Sequence, residues 1–414
     1  MNKRIFGGAL AGERLRVIVS TDIGGSDADD FQSLVHYLLY ADLFDTEGIL
    51  SSPWGAGRRS DVLRVIDAYQ RDWPRLRGED PRYPDPEYVR EIAKQGAVDF
   101  APWKGWSAPT EGSEWIIQCA RRPDPRPLYL LMWGLLEDLA QALHDAPDIL
   151  PRLRVHFIGG PNKKWGANAY AYILNTFPGL WMIEDNSTYR GWFNGGAQEP
   201  PWDNAGFVRA FAAGHGALGG FFARQLDGVL KMGDTPTVAR LLNGAPERPE
   251  GESWGGSFVP VRSMPQSVLR HPVDESVSVE AFSLNEVRLS GPDAPADDAP
   301  VFAAEIRGQR FAGYSLGGGE YGFRFVPKET GDFDYRIHSG TAALDGLAGR
   351  IHVVPETLAA RRTGPLTHWW SDDLDPARAE GPHSGAKTVN RWRRDALGSF
   401  AERLERLKDG RSDG

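Results

Sequence analysis

Four carboxylates, Asp22, Asp27, Asp29 and Asp30, fall within nine residues of the segment Ser20–Asp30, which reads STDIGGSDADD. Carboxylates crowded this closely repel one another unless a cation neutralises them, and an all-oxygen donor set suits a hard ion such as Ca²⁺ or Mg²⁺. One acidic residue at this point would read as a helix cap. Four of them, after an apolar run ending at Thr21 and around the tight-turn pair Gly24-Gly25, point to a divalent-metal and catalytic site.

Other chemistry-bearing residues follow apolar runs in the same way. Glu184, Asp185 and Asn186 come after LWMI, where they are either a surface turn or a general acid and sugar contacts, with Arg190 near enough to position a ligand. Asn168, in WGANAYAY, is a turn residue or a sugar contact. Trp54, in SSPWGAGRR, together with Trp103, Trp106 and Trp165 on Gly-containing loops, offers flat apolar faces for sugar rings; of these Trp54 is the substrate candidate. His368, ahead of Trp369 and Trp370, is a packed ring or a substitute acid that titrates near neutrality.

The elements expected to position these residues alternate along the first two thirds of the chain. Arg16–Ser20, Thr46–Ser52, Pro127–Trp133, Arg154–Gly159 and Leu180–Ile183 are near-continuously apolar, as parallel strands covered on both faces must be. Between them, Asp30–Leu43 carries Phe31, Leu34, Val35, Leu38 and Leu39 at helical spacing, and Arg59–Tyr69, Ser113–Arg121 and Leu136–His144 behave alike. The alternation predicts an α/β fold with a Rossmann-like, mostly parallel sheet flanked by helices, and ligands beyond the carboxyl ends of its strands. Near residue 270 the pattern changes: from Val277 to Val354 short alternating segments are separated by Gly- and Asp-rich turns, the signature of an inserted antiparallel Ig-like β-sandwich. Ala386–Leu407 then returns to helix, with Val389, Trp392, Leu397, Phe400, Leu404 and Leu407 on one face. The expected division is an α/β domain over 14–268, the sandwich over 269–360, and a closing segment and helix over 361–410 that returns to the α/β domain.

Bulk properties exclude several classes. The 414 residues are 41% hydrophobic and 25% charged, enough for a substantial core. A net charge of -9 argues against nucleic acid as partner. The lone Cys119 rules out an internal disulfide framework and a cysteine-based zinc site. No window approaches the roughly 18 apolar residues of a membrane span. As written, the opening MNKRIFGGALAGERLRV lacks the apolar stretch of a signal peptide, so a cytoplasmic protein is expected unless a leader was removed. Neither a Walker phosphate loop nor a Gly-x-Ser-x-Gly elbow is present.

The stretch TDIGGSDADDFQSLVHYLLYADLFDTEGILSS resembles the opening of the nucleoside hydrolase superfamily, in which an Asp-rich loop after the first strand holds Ca²⁺. It is most similar to the nucleoside hydrolase-like branch found in carbohydrate-related, cellulose-binding-protein-like bacterial proteins. PRPLYLLMWGLLEDLAQAL and KMGDTPTVARLL are similar to the segments that supply a backbone carbonyl, here Trp133, and the last metal carboxylate, here Asp234. The resemblance implies a Ca²⁺ site, ahead of Mg²⁺, of Asp22, Asp30, the Trp133 carbonyl and Asp234. Asp22 would also activate a Ca-bound water for attack at an anomeric carbon, with Asp29 holding sugar hydroxyls or water and Asn168 contacting the sugar. The sequence departs from true nucleoside hydrolases twice. Six residues separate Asp22 from Asp29, more than in the family, so either Asp27 or Asp29 occupies the second position. The residue before Asp234 is Gly233, where the family has a His near the leaving base. The expected function is a metal-dependent hydrolase of a glycosidic bond in carbohydrate metabolism; the alternatives are a ribonucleoside hydrolase and a non-catalytic carbohydrate-binding protein. Its partner would be a small-molecule sugar, glycoside or nucleoside, and the family is commonly homo-oligomeric.

Overall fold

The computed structural model describes residues 5–25, 28–53, 58–274 and 276–408; Asp27 and Trp54 lie outside them. Seven strands come first: β1 (Leu15–Thr21), β2 (Phe44–Ser51), β3 (Ala93–Gln95), β4 (Leu128–Met132), β5 (Leu153–Ile158), β6 (Met182–Asp185) and β7 (Phe258–Val261). Eight more follow, β8 (Gln266–Arg270), β9 (Ser278–Glu280), β10 (Leu284–Ser290), β11 (Phe302–Ile306), β12 (Gln309–Gly317), β13 (Glu320–Phe325), β14 (Gly331–Ser339) and β15 (Ala348–Val354), before β16 (Trp369–Asp372).

The first sheet runs β3-β2-β1-β4-β5-β6-β16-β7, with every neighbouring pair parallel except β16 and β7. All residues of β1 and β4 are buried, which is why these segments read as unbroken apolar runs. β6 lies two residues further along than the LWMI run suggested, so Glu184 and Asp185 belong to the strand itself. β3, β7 and β16 escaped the sequence reading. Each has three or four residues, and β16 (WWSD) pairs with strands more than a hundred positions away.

The helix Asp29–Leu39 starts one residue before the expected point, and a 3₁₀ turn, Ala41–Leu43, replaces its last part. Arg59–Glu79 continues ten residues past Tyr69 through Pro74, because its second half is polar and solvent-facing. The amphipathic tail is two helices, Lys387–Asn390 and Arg393–Glu405, broken at Arg391 and Trp392. It docks where its apolar face required: Phe400 packs on His36, Phe207 and Phe222 of the α/β part.

The chain leaves the first sheet after β7, builds a second sheet, and re-enters at β16. The second sheet runs β8-β10-β13-β12-β11-β14-β15-β9. It departs from a purely antiparallel pattern, since β8 pairs with β10 and β9 with β15 in parallel. Leu269 of β8 and Val279 of β9, on opposite edges, belong to one core with Val287, Phe311, Phe323 and Ile351. A sheet whose two edges share a core must wrap around it.

One short helix, Gly160–Trp165, joins the two halves. Lys163 Nζ donates to the Phe282 carbonyl at 2.6 Å, Lys164 Nζ donates to Gln309 Oε1 at 2.7 Å, and Trp165 stacks on Phe311 with centroids 5.3 Å apart. Among the described residues no helix is long and apolar enough to cross a membrane.

Candidate active site and its acidic pocket

β1 ends at Thr21, and the chain turns at once, the Gly25 N–H donating to the Asp22 carbonyl at 2.9 Å. Gly24 has φ +82°, a left-handed conformation that favours glycine at this turn. The helix Asp29–Leu39 then begins with Asp29 and Asp30 in its first turn, 8% and 6% exposed. Thr21 Oγ1 donates to Asp30 Oδ1 and accepts from the Ile23 N–H at 3.2 Å, which ties the strand end to the helix start.

Asp234 arrives from far along the chain, at the start of the helix Thr235–Leu242. Gln32 brings it there. Gln32 Oε1 accepts from the Lys231 N–H at 2.9 Å and the Met232 N–H at 3.3 Å, while Gln32 Nε2 donates to the Val229 carbonyl at 2.9 Å. Met232 is held at φ +49°, and Ser33 Oγ donates to Asp234 Oδ2 at 3.4 Å. As a result Asp29, Asp30 and Asp234 each present an oxygen within 4.8 Å of the others. Asp22, half-buried, lines the same cavity of about 60 Å³ with Trp133, Asn162, Trp165, Tyr189 and Lys231.

Two further contacts define the pocket's chemistry. Lys231 Nζ lies 3.2 Å from Asp29 Oδ2, an oxygen that also accepts from the Gly233 N–H at 3.1 Å. A Cβ on Gly233 would sit 2.4 Å from that oxygen. Asp29 therefore occupies the space that a side chain before Asp234 would need. The Trp133 carbonyl accepts from Asn162 Nδ2 at 2.6 Å, while Trp133 Nε1 donates to Thr237 Oγ1 at 2.8 Å.

A second polar layer lies at the carboxyl ends of β6 and β16, closed to solvent. Glu184, 0% exposed, accepts from Lys163 Nζ at 2.6 Å, Asn186 Nδ2 at 2.9 Å, Tyr170 Oη at 2.9 Å and Trp369 Nε1 at 3.0 Å. Burial alone would raise its pKa, but Lys163 and these donors hold it below the usual carboxylate value. Asp372 accepts the N–H groups of Asn186 at 3.0 Å, Ser187 at 3.2 Å and Thr188 at 2.8 Å, and Asp185 Oδ1 accepts that of Tyr189 at 2.8 Å. Burial, and then the proximity of Asp372, push Asp185 well above the ordinary range. The Asp185–Asp372 pair thus fixes the turn that delivers Tyr189 to the pocket.

Of the residues singled out from sequence, Asp22, Asp29, Asp30, Trp133, Trp165 and Asp234 come together in one cavity. Asp27 and Trp54 lie outside the described residues, and the remaining candidates do not line it. Glu184 and Asn186 are fully buried and engaged with each other. Asn168 bridges the two halves, donating to the Ala101 carbonyl at 3.0 Å and accepting from Arg324 at 3.1 Å. His368 is exposed at the amino end of β16, the end away from the acidic pocket, with Thr367 Oγ1 3.1 Å from its Nδ1. Lys231, Tyr189 and Asn162 were missed. The basic residue just ahead of the Gly-Asp pair was the one available signal for Lys231; the other two are placed by turns that only the folded chain reveals.

A family model described as cellulose-binding Sde182, nucleoside hydrolase-like domain, matches residues 16–258. Among solved structures, a nucleoside hydrolase-related hypothetical protein from Saccharophagus degradans, associated with carbohydrate metabolism, is similar at 18% identity and a TM-score of 0.51. That match covers 83% of this chain and 100% of the other. An inosine-uridine preferring nucleoside hydrolase from Bacillus anthracis is 14% identical with a TM-score of 0.36, over 61% of this chain and 86% of its own. Among curated proteins nothing matches.

Proposed function

The chain belongs to the family described as cellulose-binding Sde182, nucleoside hydrolase-like domain, and from that premise we propose that it hydrolyses a glycosidic bond in its acidic pocket. The observation that carries this reading is the meeting of Asp29, Asp30 and Asp234 in one cavity with Asp22. Three buried carboxylates, offset in part by Lys231, make an oxygen-only donor set of surplus negative charge, which fits a hard divalent cation. Asp22, Asp30, Asp234 and the Trp133 carbonyl would hold it, and a mixed set of this kind favours Ca²⁺ over Mg²⁺. When bound, such an ion lowers the pKa of water and grips vicinal hydroxyls.

The residues of the chain do the rest. Asp22, the most accessible of the four carboxylates, takes the proton of the attacking water. Asp29, anchored by Gly233 N–H and Lys231, holds a sugar hydroxyl. Attack at the anomeric carbon develops oxocarbenium character, which the surrounding carboxylates stabilise. Tyr189 and Trp165 wall the cavity and limit the entry of water. With no side chain at Gly233 to protonate a purine, a sugar leaving group suits the pocket better than a nucleobase. In this reading 14–268 with 361–410 form the hydrolase-like unit, and 269–360 is an inserted β-sandwich of Ig-like kind.

A panel of furanosides, short oligosaccharides, purine nucleosides and pyrimidine nucleosides tests the proposal. Turnover of the glycosides is expected, with Asp22→Asn lowering kcat by at least about a hundredfold, as loss of a general base does. Cleavage of nucleosides alone would overturn it in favour of a ribonucleoside hydrolase. The family description favours a second reading, a non-catalytic carbohydrate-binding protein; glycan binding with no cleavage of any substrate would establish that one instead.

A further inference from the structure

A far larger cavity, about 540 Å³, opens between the two halves of the molecule. It shares a wall with the acidic pocket: Ser187 and Arg190 line the cleft, and Tyr189, on the same turn, lines the pocket. Phe282 and Lys328 contribute from the inserted sheet, His383 and Ser384 from the segment after β16.

Both carboxylates that line the cleft are already engaged by cations. Glu356 is paired with Arg361, and Glu329 lies 3.2 Å from Arg307 and 3.8 Å from Lys328. Arg190, half-buried, makes no side-chain hydrogen bond or ion pair among the described residues; its guanidinium lies 5.2 Å from the centroid of the Tyr189 ring. An arginine held against an aromatic face has its donor fork pre-ordered and unused, and that fork matches a carboxylate in two parallel hydrogen bonds. Half-burial raises the cost of leaving it without an anion. The hydroxyl of Ser384 and the ring of His383 add polar groups to the lining. These features belong to a site for an anionic sugar in a chain whose net charge is otherwise -9.

We propose that this cleft is a saccharide subsite selective for a uronic acid, with Arg190 binding the sugar carboxylate one step along the chain from the bond in the acidic pocket. The assignment rests on the glycosidase reading, since the shared turn is what makes the two cavities consecutive. It narrows the substrate class from glycosides in general to acidic oligosaccharides.

Calorimetry on the full chain with digalacturonate, its methyl ester, cellobiose and inorganic phosphate tests this directly. Digalacturonate is expected to bind roughly ten- to a hundredfold more tightly than its ester, the range for a charge-assisted pair. Arg190→Gln should abolish that preference and Arg190→Lys should restore part of it. Because the Arg190 side chain makes no hydrogen bond among the described residues, the melting temperature of each variant should match that of the parent, and Lys328→Gln, on the half-buried rim, should reduce the preference less. Equal binding of acid and ester, or a preference that survives Arg190→Gln, would overturn the proposal. So would phosphate competing as well as digalacturonate, which would make the cleft a simple anion site. Binding is read without turnover, so the two readings fail separately. Arg190-dependent uronide binding with no hydrolysis of any glycoside refutes the catalytic proposal alone, and hydrolysis of neutral glycosides with no uronide preference refutes the subsite alone.

Discussion

At the scale of single residues, the departure at Gly233 has a steric cause. The Asp29 carboxylate fills the place of a side chain there, 2.4 Å from where a Cβ would stand. Gly233→Ala should therefore push Asp29 aside. Crowding of this sort costs about 1–3 kcal/mol, and calorimetry with CaCl₂ alone should show at least about tenfold weaker binding. An unchanged affinity would mean that Asp29 takes no part in arranging the cation site. Asp22, Asp29 and Asp30 were legible because carboxylates crowded at a strand end are unusual, whereas Trp133 and Asp234 were reached only through the resemblance of their segments to the nucleoside hydrolase superfamily. Lys231 was not, because a lone lysine on a loop is ordinary until folding sets it 3.2 Å from an aspartate some two hundred positions away. Glu184 was legible as a strand-end carboxylate, but its full burial and its pairing with Lys163 at 2.6 Å were not, because Lys163 gives no sign of that contact in the sequence.

Among the elements, the terminal helix Arg393–Glu405 ties down the carboxyl end of the first helix. Arg403 donates to Asp42 Oδ1 at 2.6 Å, to Tyr83 Oη at 2.7 Å and to the Leu39 carbonyl at 3.1 Å, beneath a nearly closed surface. Removing one member of a buried pair strands the other, at a cost of about 3–5 kcal/mol. Arg403→Ala should lower the urea midpoint accordingly, and a shift within error would show that water replaces the guanidinium. The amphipathic face of this helix was plain in the sequence, since it follows from spacing. Its break at Arg391 and Trp392 was not, because neither residue is a helix breaker. The long apolar strands were equally plain. β7 and β16 were invisible because a four-residue strand containing Pro or Asp carries no periodicity, and its existence depends on a partner.

Across the whole molecule, the second sheet is joined to the pocket through the helix Gly160–Trp165. Trp165 lines the acidic cavity on one side and stacks on Phe311 on the other. Aromatic pairs contribute about 0.5–1.5 kcal/mol beyond their area. Trp165→Ala should lower global stability by at least about 1 kcal/mol and speed amide exchange in β12, with the same variant weakening glycan binding. Normal exchange in β12 would mean that the other contacts between the halves, those of Lys163, Lys164 and Asn168 among them, hold the sheet without the stack. The presence of an inserted β-rich unit was readable from the change in alternation near residue 270. Its wrapped, eight-stranded order was not, because sequence alternation reports which face is buried and not which strand is the neighbour.

The position of β16 in the first sheet also imposes an order in time. It is the last strand to leave the ribosome, yet it stands between β6 and β7, and its Asp372 secures the turn that carries Tyr189 and Arg190. A nascent chain that has already produced every pocket aspartate still lacks that turn's anchor, and β7 has no partner until the whole second sheet has been synthesised. Ribosome-bound chains ending before residue 369 should accordingly hold a sheet finished only as far as β6. The pocket and the cleft beside it would then be completed together, as one late event in the birth of the protein.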